Sequence, residues 1–174
     1  LSTRTGMAIR FSEADAREMG RATRGVKGIG LGKADEVVGM VVADADGCLL
    51  TVCEKGYGKR TPFGANADPN VSLEEAAATE EEATADTPPP ADADADPAAD
   101  GAATADRSAM RYRLQRRGGK GVKDVRTSER NGPVVGIASV RDGDEVMFIT
   151  QQGMVTRSRV EDVRTVGRNT QGVR

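Results

Sequence analysis

The sequence predicts an all-β fold, and three observations support this prediction. Short patterns recur along the 174 residues, the stretches between them are rich in apolar and β-branched side chains, and tight-turn signals separate those stretches. A Gly-led pattern occurs at residues 6–10, 56–60 and 153–157. When roughly 45 inserted residues are subtracted from the second interval, the period is about 50 residues, which is typical of propeller blades or a related radial array.

Two further patterns keep the same order and spacing. A Gly-Arg-led pattern at residues 20–27 returns at 167–174, and each copy begins 14 residues after the preceding Gly-led pattern. Residues 117–123 are a variant of it in the middle copy. A Val-Val-Gly pattern at residues 37–40 returns at 134–137. Because three patterns share one order, we expect each copy to form one blade.

Each copy predicts antiparallel strands joined by tight turns. Residues 37–42 and 48–53 are apolar and β-branched, with the hairpin signal Asp46-Gly47 between them. Lys55-Gly56 then turns into residues 57–61. Near-continuous apolar runs indicate strands covered on both faces. The other copy repeats this order with strands at 134–140 and 146–150 and turns at Asp142-Gly143 and Gln152-Gly153.

Residues 67–106 differ in kind from the rest. They hold 12 acidic residues and no Lys or Arg, and they are dominated by Ala, Asp, Glu and Pro. A segment with so few large apolar side chains cannot offset the entropy lost on folding, so it is predicted to be disordered. The predicted organisation is therefore blades at residues 1–66, a disordered acidic insert at 67–106, and further blades at 107–174.

The charge distribution points to a polyanionic ligand. The net charge of the chain is −2, but outside the insert 15 acidic residues face 25 basic ones, a net charge of +10. A chain that is basic outside one acidic block favours nucleic acid as its partner.

Several function classes are excluded or disfavoured by composition. The chain has no histidine, which removes histidine-based catalytic triads and histidine metal ligands. Cys48 and Cys53 lie five positions apart in one predicted strand, point to opposite faces and are expected to stay unbridged. No phosphate-loop or dinucleotide fingerprint and no membrane-length apolar run occurs. We therefore expect a cytoplasmic chain without an active site, signal peptide or bound cofactor.

The segment Gln115-Arg116-Arg117-Gly118-Gly119-Lys120-Gly121 is the strongest candidate for binding. It places three cations and three glycines in seven residues. Glycines let a phosphate backbone approach main-chain N–H groups, while Arg and Lys supply charge. No aromatic residue is interleaved, so duplex backbone binding is favoured over base stacking. The alternative interpretation is a solvated turn.

Equivalent segments elsewhere in the repeat are also basic. Successive blades would present these loops around one rim, as bending a duplex requires. Cations of the Gly-led strands are predicted to add to that rim, although a solvated surface cation is an alternative for each. The candidate DNA-binding residues outside the heptapeptide are Lys123, Arg21, Arg24, Lys27, Lys59, Arg60, Arg168 and Arg174, with Arg10 and Arg157 at positions that match Arg60.

These residues resemble the C-terminal domain of the DNA gyrase A protein. The heptapeptide 115–121 matches the family's gyrase-A box at every position, and residues 20–27, 56–62 and 166–173 look like its blade motifs. The blade motifs are shared more loosely with the C protein of topoisomerase IV. The family's principal box lies in the first blade, whereas here at least one blade precedes the box.

The resemblance implies a β-pinwheel, a propeller-shaped fold with strands exchanged between blades, which wraps duplex DNA without sequence preference. It also implies a parent type II topoisomerase that uses ATP and Mg²⁺ through other regions and assembles with the gyrase B protein and a second copy of the gyrase A protein. Alternatives are the equivalent domain of topoisomerase IV and a propeller-like protein-interaction scaffold. The acidic insert either competes with DNA as a tethered polyanion or is a solvated linker.

Overall fold

The computed structural model describes residues 1–64 and 110–174, and these form short strands, turns and two single-turn 3-10 helices, joined by irregular segments. The predicted all-β class is confirmed. The strands are β1 (Ser2–Thr3), β2 (Met7–Ala8), β3 (Val37–Gly39), β4 (Cys48–Cys53), β5 (Gly58–Pro62), β6 (Val122–Lys123), β7 (Val134–Val140), β8 (Glu145–Ile149) and β9 (Val155–Arg159), with 3-10 turns at Glu13–Asp15 and Val160–Asp162.

The strands form three sheets, which we call blades 1 to 3. Blade 1 has the order β3-β1-β2-β6, blade 2 has the order β5-β4-β7, and blade 3 consists of β8 and β9. All pairings within these sheets are antiparallel. Since β6 lies far along the chain from β2, blade 1 receives a strand from the following repeat. Strand exchange between blades, as the family resemblance implied, is therefore present.

The hairpins at the Gly-led pattern form as predicted in every copy. Gly6, Gly56 and Gly153 each donate the main-chain N–H to the carbonyl three residues earlier, at 3.0, 3.1 and 2.9 Å. These turns join β1 to β2, β4 to β5 and β8 to β9. The identical turn in three places shows that the sequence repeat is a structural repeat.

The Asp-Gly turns do not close hairpins, and that prediction was wrong. Gly47 N–H bonds to the Asp44 carbonyl at 3.0 Å, so the turn itself forms. However, β4 pairs with β7 over six residue pairs and not with β3. The predicted strand 37–42 ends at Gly39. Beyond it, Val42 is 83% exposed because the chain is crossing to the next blade.

The Asp142-Gly143 turn behaves in the same way. Asp144 donates its main-chain N–H to the Arg141 carbonyl at 3.2 Å, which closes the turn. The strands on either side belong to different sheets, because β7 pairs with β4 while β8 pairs with β9. Each Asp-Gly turn is therefore a link between blades.

The core lies between neighbouring blades and divides into three apolar clusters. Cys53 belongs to one of them, and burial raises the pKa of its thiol to about 11. Cys48 and Cys53 are both free thiols, in agreement with the prediction. The buried members of the clusters are Ala8, Leu49, Phe63 and Tyr112; Leu50, Val140 and Val160; and Cys53, Val125 and Val134.

The chain leaves the described part at Gly64 and re-enters it at Met110, next to where it left. Tyr112 N–H bonds to the Phe63 carbonyl at 3.3 Å. The Arg10 guanidinium donates to the carbonyls of Phe63, Gly64 and Tyr112 at 2.8, 3.2 and 3.1 Å. The predicted disordered insert at 67–106 and its bounds lie outside the described residues. No helix in residues 1–64 and 110–174 is long and apolar enough to cross a membrane.

Candidate nucleic-acid interface

Three segments with equivalent positions in the repeat make up the candidate interface. We call them loop I (residues 20–27), loop II (residues 115–123) and loop III (residues 166–174). Gly25, Gly121 and Gly172 fall at the same place in the three loops and have φ angles of 75°, 81° and 79°. Their shared left-handed backbone shows that the sequence alignment of the loops is also a structural one.

The end of loop II pairs with the blade that precedes it. Ala8 pairs with Val122, and a Cβ at Gly121 would lie 2.5 Å from the Ala8 carbonyl oxygen. Only glycine fits this approach, because both the space and the positive φ exclude a side chain. In loop III, Gly58 and Val173 exchange two main-chain hydrogen bonds of 2.8 Å at the position of the Ala8–Val122 pair.

Loop II also rests on the chain that leaves loop I. Gly118 N–H bonds to the Gly28 carbonyl at 2.8 Å, and Gly30 N–H bonds to the Gly119 carbonyl at 2.7 Å. The Gly-rich residues 28–32 are thus a support for loop II.

Loop III rests on loop II in the same way. Asn169 N–H bonds to the Asp124 carbonyl at 2.7 Å, and Arg126 N–H bonds to the Thr170 carbonyl at 2.9 Å. Loops II and III are therefore each hydrogen-bonded to the exit of the loop before them, so the three loops form one continuous row.

Six of the predicted cations are exposed along this row. None of the six makes a side-chain hydrogen bond or ion pair with another residue of the described part of the chain. Their charge is available to an anionic ligand, since no carboxylate within residues 1–64 and 110–174 neutralises it by contact. They are Arg21, Arg24 and Lys27 in loop I, Arg116 and Lys120 in loop II, and Arg174 in loop III.

Two predicted cations of loop II are partly buried and bind neighbouring carbonyls. Arg117 donates to the carbonyls of Asp15 and Lys27 at 3.0 and 2.6 Å. Lys123 Nζ donates to the Thr5 carbonyl at 3.0 Å. These side chains fix loop II against loop I and blade 1.

Lys59 lies in the core, and its predicted place on the rim was wrong. The residue is 0% exposed, and its ammonium forms an ion pair with Asp124 at 2.9 Å. Along β5 burial alternates, so Lys59 and Thr61 face inward while Arg60 lies on the opposite face. The equivalent residue in blade 1 is Ile9, which is apolar and also buried. Its place in the sequence repeat was the signal that the side chain at position 59 faces inward.

Arg60 and Arg168 are half-buried and engaged with the protein. Arg60 Nε donates to the Val163 carbonyl at 2.7 Å, and its guanidinium pairs with Asp142. Arg168 Nε donates to the Arg111 carbonyl at 2.7 Å. Both arginines therefore help to position neighbouring segments, and a role for them in DNA binding remains a prediction.

Gln115 holds loop II through its main chain. Its N–H bonds to the Arg10 carbonyl at 2.8 Å, while its Oε1 is buried and accepts no hydrogen bond from a described residue. Sequence reasoning missed Arg111, Arg113 and Arg126, which are exposed and lie beside loop II in the chain. As single cations outside any repeated pattern, they carried no signal of their own.

No group of three or more His, Cys, Asp or Glu side chains able to hold a metal ion occurs within the described ranges. Tyr112 is buried, and its hydroxyl donates to Asp124 at 2.6 Å. The burial, the Asp124 charge and this hydrogen bond raise the pKa of Tyr112 well above its ordinary value. A neutral, buried phenol suits a structural role.

Comparison with known proteins agrees with this geometry. The family model described as "DNA gyrase C-terminal domain, beta-propeller" matches residues 1–44, 111–141 and 144–174. The DNA gyrase A protein of Haloquadratum walsbyi is 38% identical over 175 residues, covering 99% of this chain and 15% of that protein. The gyrase A protein of Escherichia coli K12 is 34% identical over 168 residues, covering 97% of this chain and 14% of that protein.

Two solved structures share the fold. A DNA gyrase A C-terminal domain aligns over 99% of this chain and 43% of its own, with a TM-score of 0.67 and 21% identity. A topoisomerase IV C-terminal domain aligns over 99% and 40%, with a TM-score of 0.67 and 18% identity. The chain spans about 15% of the length of the curated relatives it matches. From the matched residues and the row of three equivalent loops, we conclude that the chain belongs to the DNA gyrase C-terminal domain family.

Proposed function

We propose that this chain binds duplex DNA along loops I to III and wraps it, as the C-terminal part of a DNA gyrase A protein. The observation that carries the proposal is the hydrogen-bonded row of loops, which exposes six cations on three successive repeats. A row of cations on a rigid support binds the phosphate backbone, which has the same charge at every base pair.

The chemistry of the loops favours binding that does not depend on sequence. The exposed groups are Arg and Lys side chains and main-chain N–H groups, which contact phosphates and position a duplex without identifying bases. No aromatic residue lies in loops I to III. Stacking on single-stranded bases is therefore not favoured.

The arrangement of loops supports wrapping over straight binding. The loops belong to successive blades, and loops II and III each pair both with the preceding blade and with the exit of the preceding loop. Phosphate contacts made on several blades at once would bend the duplex and offset the elastic cost of the bend.

The parent protein is proposed to be a type II topoisomerase that introduces negative supercoils in the cytoplasm. In that assembly, the gyrase B protein and a second copy of the gyrase A protein would be the protein partners. ATP and Mg²⁺ would act through regions other than this chain. The first relatives are all DNA gyrase A proteins, which favours gyrase over topoisomerase IV.

Salt dependence of DNA binding tests the proposal. With about six phosphate contacts, the logarithm of the binding constant should fall with the logarithm of salt concentration at a slope of roughly −5. Two duplexes of unrelated sequence should bind equally. A slope near zero, or strong preference for one duplex, would contradict DNA wrapping. A slope near zero together with specific capture of a protein would favour an interaction scaffold.

A matched control separates the loops from overall charge. Arg141 and Arg159 are exposed and lie outside the predicted rim, and they pair with Asp44 and Glu161. The variant R141Q/R159Q lowers the net charge by two without touching loops I to III. Its slope should stay within experimental error of the unsubstituted chain.

A further inference from the structure

We propose that the buried pair Lys59–Asp124 is a positioning device that fixes loop III relative to loop II for binding DNA. The inference rests on the proposed function and assigns to it two residues that do not touch the ligand. Lys59, which lies on β5 of blade 2, is the residue through which that blade holds both loops at once.

All three donors of the Lys59 ammonium are used. Nζ lies 2.9 Å from Asp124 Oδ1, 2.8 Å from the Asp124 carbonyl and 2.9 Å from the Gly167 carbonyl. Asp124 directly follows loop II, and Gly167 lies within loop III. One buried ammonium therefore ties the exit of loop II to the start of loop III.

The Asp124 carboxylate is held from two other directions. Oδ1 accepts a hydrogen bond from the Tyr112 hydroxyl at 2.6 Å, and Oδ2 accepts one from the Thr51 hydroxyl at 2.8 Å. Lys59, Tyr112 and Thr51 are each at most 4% exposed. Since both charges and their partners are buried, the network has one well-defined geometry.

The network holds loop III on both sides of Arg168. On one side, the Gly167 carbonyl accepts from Lys59. On the other side, Asn169 N–H donates to the Asp124 carbonyl at 2.7 Å. The two peptide groups that flank Arg168 are thus bonded to the two members of the ion pair.

Loop II lacks this device, which makes it an internal comparison. At its equivalent position Gly118 N–H bonds to the Gly28 carbonyl, so the main-chain bond is the same. Ile9 and Gly28 stand where Lys59 and Asp124 stand for loop III, and neither residue can form an ion pair through a side chain. The fold therefore accommodates an uncharged pair at this position.

This comparison argues against a purely stabilising role. Replacing a buried ion pair by apolar residues is often neutral or stabilising, because desolvation offsets the attraction between the charges. What the pair adds is fixed geometry. A loop already held in its binding conformation loses less entropy when it binds DNA, so affinity rises without a new contact.

Hydrogen exchange in the full chain tests the geometry without DNA. In the unsubstituted protein, the amide of Asn169 should be at least about tenfold more protected than that of Gly118, after correction for intrinsic rates. In K59M/D124N, which removes both charges together, protection at Asn169 should fall by about tenfold while Gly118 is unchanged. Equal protection of the two amides in the unsubstituted protein would overturn the proposal.

DNA affinity tests the function of the device. K59M/D124N should bind a duplex about three- to tenfold more weakly than the unsubstituted chain. In the background R174Q, which removes the exposed cation of loop III, the same double substitution should weaken DNA binding by a smaller factor. An equal loss in both backgrounds would overturn the proposal, because a general structural defect does not depend on the charge of loop III.

Two controls address folding. K59I/D124G copies the equivalent residues Ile9 and Gly28 beside loop II, and it replaces K59M/D124N if that variant does not fold. V160A, at a 0% exposed position in another apolar cluster, should lower stability and leave DNA affinity unchanged. If the unsubstituted chain binds DNA and neither K59M/D124N nor K59I/D124G binds it more weakly, the positioning role is wrong while the proposed function stands. If the unsubstituted chain does not bind DNA, the proposed function fails as well.

Discussion

Gly118 and Asn169 occupy the same position in successive loops and make the same hydrogen bond. Their φ angles are 85° and 58°, and their N–H groups bond to the carbonyls of Gly28 and Asp124 at 2.8 and 2.7 Å. Asn is among the few residues that tolerate this left-handed conformation. Two different sequences thus adopt the same backbone geometry, which explains why the loops form a regular row.

Because loop II lies so close to blade 1, we expect a Gly-to-Ala substitution at Gly121 to lower the free energy of unfolding more than the same substitution at Gly25. G121A should lower the free energy of unfolding by several kcal/mol, because the Cβ would lie 2.5 Å from the Ala8 carbonyl and φ is +81°. G25A is the matched control, with φ of +75° and nothing within 4 Å of its Cβ. It should cost about 1–2 kcal/mol from backbone strain alone. Urea denaturation measures both, and equal costs would contradict the packing described here.

Breaking the buried ion pair on one side predicts a large loss of stability. K59A leaves the Asp124 carboxylate buried without its cation, and this should lower the free energy of unfolding by about 3–5 kcal/mol. K59M/D124N should cost less than K59A, since no lone charge remains. Chemical denaturation of the two variants provides the measurement. A K59A variant as stable as the unsubstituted chain would mean that Lys59 is not buried on Asp124.

Because the Cys53 thiol is buried and its pKa is raised, we expect the protein to lose stability at alkaline pH. Burial raises its pKa from 9.0 to about 11, so the folded state keeps a proton that the unfolded state releases above pH 9. Its contribution is fully present below pH 9 and is lost as the pH rises to about 11. The buried Tyr112, whose pKa is also raised, acts in the same direction.

The substitution C53A isolates the thiol from the other groups that titrate in this range. Urea midpoints at about pH 8 and about pH 11 should differ less in C53A than in the unsubstituted chain. The same pH dependence in both proteins would show that the thiol does not ionise on unfolding.

Neutralising loop II predicts a defined change in the salt dependence of DNA binding. R116Q/K120Q removes two exposed cations that have no partner among the described residues, so folding stability should change by less than about 0.5 kcal/mol. If both contact phosphates, the slope should become less steep by about 2. Affinity should fall equally for different DNA sequences. An unchanged slope would remove loop II from the interface.

Much of the fold could be predicted because it repeats. A Gly-led turn has the same local cause in every copy, so three hairpins followed from the sequence. The pairing of β4 with β7 could not be predicted in this way. The Asp46-Gly47 turn forms locally, but nothing in its residues specifies that the strand after it pairs with a later repeat.

The residues of the candidate site also divide into those that the repeat predicts and those that depend on contacts between distant parts of the chain. Exposed cations such as Arg116 and Lys120 stood out because charge and glycine occur together in a repeated loop. The prediction for Lys59 was wrong because it rested on the charge of the side chain and not on the position of the residue in its strand. In β5 every second residue faces inward, and a buried lysine depends on Asp124, 65 residues away in the chain. The main-chain bonds that join one loop to the next carry no side-chain signal in the sequence.

Bending of bound DNA tests the central claim most directly. A duplex of about 40 base pairs, well below the persistence length of about 150 base pairs, should be nearly straight when free. Fluorescence energy transfer between dyes at its ends should rise when the chain binds, and it should rise less with R116Q/K120Q at saturating protein. DNA that is bound at saturation with end-to-end transfer unchanged would contradict wrapping along loops I to III.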